Sequence, residues 1–186
     1  MELGMSISYA LLEACLKLVD EEGEALSDSN DELSHVDENG KAQMVDVGNK
    51  DDTKRSATAS GKVFMSAETI EALERQELKK GDVLGVARVA GIQAAKKTSE
   101  LIPLCHPLAI NFASVDFRIK ETYVEIEATV KTSGKTGVEM EALTACSVAA
   151  LTVYDMCKSM DKSIIIKEIK LLEKTGGKSG NWKRSD

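Results

Sequence analysis

The chain has 186 residues, of which 42% are hydrophobic and 30% charged, as expected for a globular protein with a single core. Its formal net charge is -7, but residues 1–33 carry nine acidic residues and one lysine, so the remainder is nearly neutral. That near-neutral remainder and an aromatic content of 4% argue against a general nucleic-acid-binding protein. The N-terminal residues lack the basic start of a signal peptide, and no segment is apolar for long enough to predict a membrane span.

The four cysteines are scattered along the chain without a CxxC pair. This spacing favours neither a zinc cluster nor a disulfide framework, and it is typical of proteins from reducing compartments. Two histidines and dispersed thiols also predict no transition-metal site. We therefore expect a cytoplasmic protein that holds no metal of its own.

The first 33 residues differ in composition from the rest of the chain. Residues 6–20 carry apolar side chains at helical spacing, and the acidic stretch after them is poor in large apolar groups. We interpret residues 1–33 as an acidic extension, partly helical or disordered, and place the main domain at 34–186.

The main domain is predicted to contain both strands and helices. Alternating apolar residues and enrichment in Val and Thr predict strands, whereas longer runs without Pro or Gly predict helices. Two of the strands alternate on either side of a short turn, which indicates an antiparallel hairpin, and the mixture of elements predicts an α+β fold. In chain order the predicted elements are strands at 42–47 and 55–65, helices at 67–78 and 83–101, strands at 115–119 and 124–130, a helix at 138–158 and a strand at 164–172.

The loop at 101–108 contains both prolines of the chain and one of its histidines. His106 lies between Pro103 and Pro107, whose rings constrain the loop, so a ligand contact and a structural role are equally consistent with its position. Cys105 precedes His106, but sequence neighbours in an extended loop point apart. A thiol nucleophile with this histidine as its base is therefore not expected.

The predicted helix at 138–158 organises the chain. It is mostly apolar, so its charged residues require either ion-pair partners or a functional role. Asp155 and Lys158 share a face, whereas Glu141 lies about 21 Å before Asp155 along the axis. One small ligand cannot reach both ends within one chain. Either each end holds its own ion pair, or a second chain completes a site.

Two Gly-Lys-Thr/Ser segments, at 134–136 and 177–179, end like a P-loop but lack its first glycine, so neither is a Walker motif. Their amides remain candidates for phosphate contacts. Lys80, Arg55 and Lys174 are either solvated surface residues or, gathered in one site, suited to a polyphosphate.

Seven ordered segments between residues 35 and 182 resemble one protein family. It is the MoaC family, the cyclic pyranopterin monophosphate synthases of molybdenum cofactor biosynthesis. The segments are MVDV at 44–47, KGD at 80–82, AGIQAAK at 90–96, LIPLCHPL at 101–108, GKTGVEMEALTA at 134–145, YDMCK at 154–158 and GGKSG at 176–180.

The resemblance implies α+β subunits with a ferredoxin-like antiparallel sheet packed against helices. It implies a homohexamer, built as a trimer of dimers, with sites at subunit interfaces. The implied reaction is that of a lyase, which converts 3′,8-cyclo-7,8-dihydro-GTP to cyclic pyranopterin monophosphate and releases pyrophosphate. No cofactor is implied, and whether Mg²⁺ accompanies the substrate triphosphate stays open, as does contact with the preceding radical enzyme of the pathway.

The resemblance also assigns roles to residues. A lysine whose pKa is depressed by neighbouring cations can move protons at neutral pH, and Asp155 would orient Lys158 for that task. The catalytic residues implied by the motifs are Asp155, Lys158 and Lys80, and the substrate-binding residues are Leu104, Cys105, His106, Glu139, Met140, Glu141, Lys174 and Arg55.

Two other functional classes stay open on the residues alone. One is a non-catalytic nucleotide-binding or assembly module with the same fold, and the other is a phosphate-ester hydrolase. Release of pyrophosphate from the cyclised substrate distinguishes the synthase from the first, and release of orthophosphate would indicate the second.

Overall fold

The computed structural model of the protein describes residues 39–185. Within them the chain forms five strands and four helices, which confirms the predicted α+β class. The predicted helix at 6–20 and the domain boundary near Ser34 lie outside the described residues and stay predictions. Among the described residues, no helix combines the length and the apolar character that crossing a membrane requires.

The strands are β1 (Thr53–Phe64), β2 (Ile110–Ile119), β3 (Tyr123–Gly134), β4 (Ile165–Thr175) and β5 (Trp182–Lys183), and the helices are α1 (Ala67–Glu74), α2 (Val83–Ala95), α3 (Thr98–Leu101) and α4 (Glu139–Cys157). The five strands form one antiparallel sheet in the order β2-β3-β1-β4-β5. Apart from the short helices α1 and α3, the succession β1, α2, β2, β3, α4, β4 is the β–α–β–β–α–β arrangement implied by the ferredoxin-like resemblance.

The core lies between one face of the sheet and the helices α2 and α4. Helix α4 packs against β1, β3, β4 and α2. Ala57 and Val130, which are paired in register on β1 and β3, are 1% and 0% exposed. Gly91 allows the two helices to approach closely, because an added Cβ would lie only 2.8 Å from the carbonyl oxygen of Ala145. This packing fixes the position of α4 above the sheet.

We call the opposite side of the sheet the open face. Its side chains are largely polar, because strand residues alternate between the two sides. Lys62 forms an ion pair of 2.7 Å with Glu168, and Arg118 Nη1 lies 3.5 and 3.4 Å from the carboxylates of Glu125 and Glu127. The open face is therefore not a second apolar core.

Both predicted helices before the first hairpin are shorter than expected. The helix predicted at 67–78 ends at Glu74, and Gln76 follows it with a positive φ of 56° that a helix cannot accommodate. The helix predicted at 83–101 divides into α2 and α3, with Lys97 at a φ of -115° between them. These breaks arise from individual backbone angles and not from a change in apolar pattern.

Two segments differ from their predicted conformation. The strand predicted at 42–47 forms only an isolated bridge at Ala42. The glycine-rich tail after Lys174, for which no strand is predicted, folds back so that Trp182 pairs with Lys174 and forms β5. The tail thereby lies along the edge of β4, near the start of β1.

Candidate active site

Asp155, in the last turn of α4, binds two lysines at once. Its Oδ1 accepts a hydrogen bond of 2.7 Å from Lys158 Nζ, and its Oδ2 accepts one of 2.9 Å from Lys80 Nζ. The Lys80 ammonium also donates to the backbone carbonyl of Asp155 at 2.7 Å. We call these three residues the Asp155 cluster.

Local structure positions each member of the Asp155 cluster. Lys80 lies in the turn before α2, where Gly81 has a φ of 83° and Asp82 caps the helix by accepting from the Gly85 amide at 2.8 Å. Lys158 is the C-cap residue directly after α4, and its amide donates to the Tyr154 carbonyl at 2.9 Å. The turn before α2 and the C-terminal end of α4 therefore hold the two lysines on either side of one carboxylate.

The charges of the cluster stabilise one another. The hydrogen bonds from Lys158 and Lys80 lower the pKa of the Asp155 carboxyl to about 2. The hydrogen bond to Asp155 in turn raises the pKa of Lys158. The depressed lysine pKa expected from neighbouring cations is therefore wrong for Lys158 in this chain, because its nearest charged partner is an anion.

A cavity of about 840 Å³ lies at the other end of α4. It is bounded by the start of β1, the Gly-Lys-Thr turn before α4, the end of β4 and the tail, and we call it the cation pocket. Among the described residues that line it, only Asp51 and Glu139 are acidic. Its basic lining residues are Lys50, Arg55, Lys135, Lys174 and Lys178.

Arg55 is held in place from two sides. Its Nε donates to the Gly134 carbonyl at 2.9 Å, and its Nη2 donates to the Lys135 carbonyl at 3.1 Å. The tail covers the guanidinium at Gly177, where an added Cβ would lie 2.1 Å from Nη1. Since Gly177 also has a φ of 77°, glycine is needed here both for the backbone angle and for space.

Lys174 connects the tail to the start of α4. Its Nζ lies 3.2 Å from Glu139 Oε1 and donates to the Ser179 hydroxyl at 2.7 Å. The side chains of Lys174 and Glu139 are only 24% and 28% exposed. Glu139 is the first residue of α4, where the positive end of the helix favours a carboxylate.

The loop at 101–108 lies against the segment that precedes β1. His106 Nε2 donates to the Val45 carbonyl at 2.8 Å, so its contact within this chain is structural. Burial raises the pKa of the Cys105 thiol, and the Glu141 carboxylate raises it further. Leu104 is half-buried in the same loop.

Glu141 is a buried acid in the first turn of α4, with 3% of its surface exposed. Burial raises the pKa of its carboxyl, the hydrogen bond from its own backbone lowers it, and the nearby Glu139 carboxylate raises it again. Cys105 lies close enough to Glu141 for the carboxylate charge to raise the pKa of the thiol. Met140, between the two acids, is 38% exposed.

The structure of one chain therefore brings the predicted site residues together in two groups, not one. Arg55, Glu139 and Lys174 meet in the cation pocket, with the loop at 101–108 near the start of the same helix. The Asp155 cluster lies at the other end of α4, whose 19 residues span about 28 Å. The length of α4 keeps the two groups apart within a chain.

Several lining residues of the cation pocket are absent from the predicted set. Lys135 Nζ donates to the Gly48 carbonyl at 2.6 Å, and Lys178 and Ser179 complete the tail side. The signal that could have identified them is the pair of Gly-Lys-Thr/Ser segments, which both reach this cavity although neither is a P-loop. Within residues 39–185, no three His, Cys, Asp or Glu side chains are grouped closely enough to hold a metal ion.

Comparison with known proteins identifies the family. The sequence model of the MoaC family matches residues 44–177. The chain is 61% identical over 156 residues to the cyclic pyranopterin monophosphate synthase of Desulfitobacterium hafniense, covering 83% of this chain and 96% of that protein. It is 58% identical over 158 residues to that of Heliobacterium modesticaldum, covering 84% and 99%, and 55% identical over 153 residues to that of Peptoclostridium acidaminophilum, covering 82% and 98%. On these matches, this chain belongs to the MoaC family.

Proposed function

We propose that this chain catalyses the cyclic pyranopterin monophosphate synthase reaction. It would convert 3′,8-cyclo-7,8-dihydro-GTP to cyclic pyranopterin monophosphate and release pyrophosphate, at an early step of molybdenum cofactor biosynthesis. The observation that carries the proposal is the pair of residue groups at the two ends of α4, a polyphosphate-sized basic cavity and a carboxylate held between two lysines. Three relatives named cyclic pyranopterin monophosphate synthase, at 55–61% identity over nearly their full length, support it.

The cation pocket is proposed to bind the substrate triphosphate. Its five basic residues outnumber its two acids, and its volume of about 840 Å³ is within the range of small-molecule sites. Arg55 presents a rigid planar donor, whereas Lys174 is a flexible point charge that can leave Glu139 for a phosphate oxygen. These cations would stabilise the pyrophosphate as it leaves.

The Asp155 cluster is proposed to move protons during the rearrangement. Because Asp155 raises the pKa of Lys158, this lysine starts the reaction as an ammonium and is suited to donate a proton first. Asp155 holds both ammonium groups in place through its two oxygens, so it orients Lys158 and Lys80 toward the substrate.

Binding of the pterin-forming part is proposed for the loop at 101–108 and the first turn of α4. Glu141 is buried beside Cys105, and its raised pKa makes it readier than an ordinary Glu to carry a proton and donate a hydrogen bond. Leu104, His106 and Met140 belong to the same proposed surface.

A second chain is proposed to join the two groups. In a homohexamer built as a trimer of dimers, the start of α4 from one subunit would face the end of α4 from its neighbour. Exposed apolar residues on α2 and α4 support an assembly: Val86, Val89 and Leu151 are 48%, 61% and 58% exposed. We further propose a cytoplasmic enzyme that holds no metal or cofactor of its own, with contact to the preceding radical enzyme of the pathway and without nucleic-acid or membrane partners. Mg²⁺, if it takes part, would come with the substrate.

The test is turnover of purified full-length protein with 3′,8-cyclo-7,8-dihydro-GTP. We expect one pyrophosphate and one cyclic pyranopterin monophosphate for each substrate consumed, and loss of both products in Asp155→Asn. Tight substrate binding without turnover would indicate a non-catalytic nucleotide-binding module and overturn the proposal. Orthophosphate as the released product would indicate a phosphate-ester hydrolase.

A further inference from the structure

The open face of the sheet contains a second cavity of about 550 Å³, at the end where β1 begins and β3 ends. We call it the open-face cavity. No acidic residue is among the described residues that line it. Its lining includes Lys54, Ser56, Asn111, Lys131, Ser133 and Thr175.

Strand register places these side chains on one side of the sheet. Lys54 is paired with Ser133, and Ser56 is paired with both Lys131 and Thr175. Paired residues of antiparallel strands project from the same face, and this face is opposite to that of the buried neighbours on each strand. Two lysines and three hydroxyl groups therefore project into one cavity, away from α2 and α4.

The two lysines are not neutralised within the described chain. The ion pairs on the open face join Lys62 to Glu168 and Arg118 to two glutamates, whereas no carboxylate of residues 39–185 pairs with Lys54 or Lys131. Lys131 Nζ instead lies 5.2 Å from the centre of the exposed Phe112 ring. This cation–π contact holds the ammonium at the cavity without cancelling its charge.

Asn111 adds oriented donors to the same cavity. It lies where the register between β2 and β3 shifts, and its Oδ1 accepts the Ser133 amide at 2.8 Å. The oxygen is thereby occupied, and within residues 39–185 the Nδ2 hydrogens have no acceptor. An external acceptor would satisfy them.

We propose that the open-face cavity binds a small organic phosphate, such as a sugar phosphate or nucleoside monophosphate. Two ammonium groups suit a phosphate, the hydroxyls and the Asn111 amide suit the remaining oxygens, and a volume of about 550 Å³ accommodates a ligand of this size. The cavity is distinct from the cation pocket: Arg55 lines both, but Lys54, Lys131 and Asn111 are not among the described residues that line the cation pocket. This inference does not depend on the proposed reaction.

The test is calorimetric titration of the full chain with ribose 5-phosphate, in a Lys174→Gln background that weakens the cation pocket. We expect about one bound ribose 5-phosphate per chain. Adding Lys54→Gln and Lys131→Gln should raise the dissociation constant about tenfold or more, since each charged hydrogen bond contributes about 1.5 kcal/mol or more. The matched control is Lys96→Gln with Lys120→Gln, two exposed lysines outside the cavity, which removes the same charge and should leave binding unchanged.

Two further measurements distinguish the site from a folding defect and from the proposed function. Lys131→Arg keeps the charge and should retain binding, and thermal unfolding should show that every variant is folded. In an otherwise wild-type chain, Lys54→Gln with Lys131→Gln should leave synthase turnover intact. The proposed phosphate site would be refuted if the cavity and control variants bound ribose 5-phosphate equally, or if the Lys174→Gln background did not bind it. Absence of synthase activity with intact ribose 5-phosphate binding would refute only the proposed function.

Discussion

Gly177 and Gly180 in the tail allow the role of Arg55 to be tested with a matched pair of substitutions. Both have positive φ angles, 77° and 67°, so alanine at either position costs about 1–2 kcal/mol of backbone strain. They differ in space: a Cβ at Gly177 would lie 2.1 Å from Arg55 Nη1, whereas a Cβ at Gly180 would meet nothing within 4 Å. The comparison therefore isolates the contact with Arg55.

We expect Gly177→Ala to displace the guanidinium and weaken its bonds to the carbonyls of Gly134 and Lys135. Loss of one charged hydrogen bond to the substrate is worth about 1.5–3 kcal/mol, so KM should rise about tenfold to a hundredfold above that of Gly180→Ala. Any melting-temperature change from backbone strain should be similar in both, at most about 2–4 °C per kcal/mol.

The assay is steady-state pyrophosphate release by both variants over a range of substrate concentrations, together with thermal unfolding. Equal KM values for Gly177→Ala and Gly180→Ala would refute the reasoning, because they would show that the tail does not position Arg55. A fall of both variants to the same low activity would refute it as well.

Three further predictions follow from the cluster and the core. Asp155→Asn and Lys158→Ala should each lower kcat about 10²–10⁴-fold without unfolding the protein, as measured by pyrophosphate release and circular dichroism, and near-normal kcat in both would contradict their roles. The folded-state pKa of Asp155 is about 2, below its ordinary 3.8, so its contribution to the free energy of unfolding is present above pH 3.8 and lost as the pH falls toward 2. The free energies of urea unfolding of wild type and Asp155→Asn should therefore converge over that pH window. A difference that stays constant with pH would contradict the ion pairs. Gly91→Ala should lower the free energy of unfolding by about 1–3 kcal/mol, because its Cβ would meet Ala145, whereas the exposed Gln93→Ala on the same helix should change it little.

The central hairpin and the long helix could be predicted because their patterns are local. Alternation on β2 and β3 and a mostly apolar run without Pro or Gly on α4 each indicate one conformation. Other features could not be predicted, since they depend on single backbone angles or on distant partners. Gln76 ends α1 through its φ angle, and the tail becomes β5 only because β4 offers it an edge.

For the candidate site, too, local sequence motifs allowed some features to be predicted, whereas contacts between distant residues could not be. Motifs predict which residues belong to the site, but not which of them contact each other. Lys80 and Asp155 are 75 positions apart, so their bond follows from the packing of α2 against α4. Lys174 meets Glu139 for a similar reason, across the end of the sheet. The pKa of Lys158 is raised and not lowered, contrary to prediction, because the sequence did not show that one carboxylate binds both lysines.

Subunit mixing tests most directly whether α4 ends from different chains form one site. Lys174→Gln weakens the cation pocket and Asp155→Asn disables the cluster, so each variant alone should have little activity. If each site takes its pocket from one chain and its cluster from a neighbour, hetero-oligomers from equal amounts of the two should regain about a quarter of wild-type turnover. If mixing restores nothing while both variants still assemble, or if an isolated monomer turns over substrate at the full rate, the shared site is contradicted.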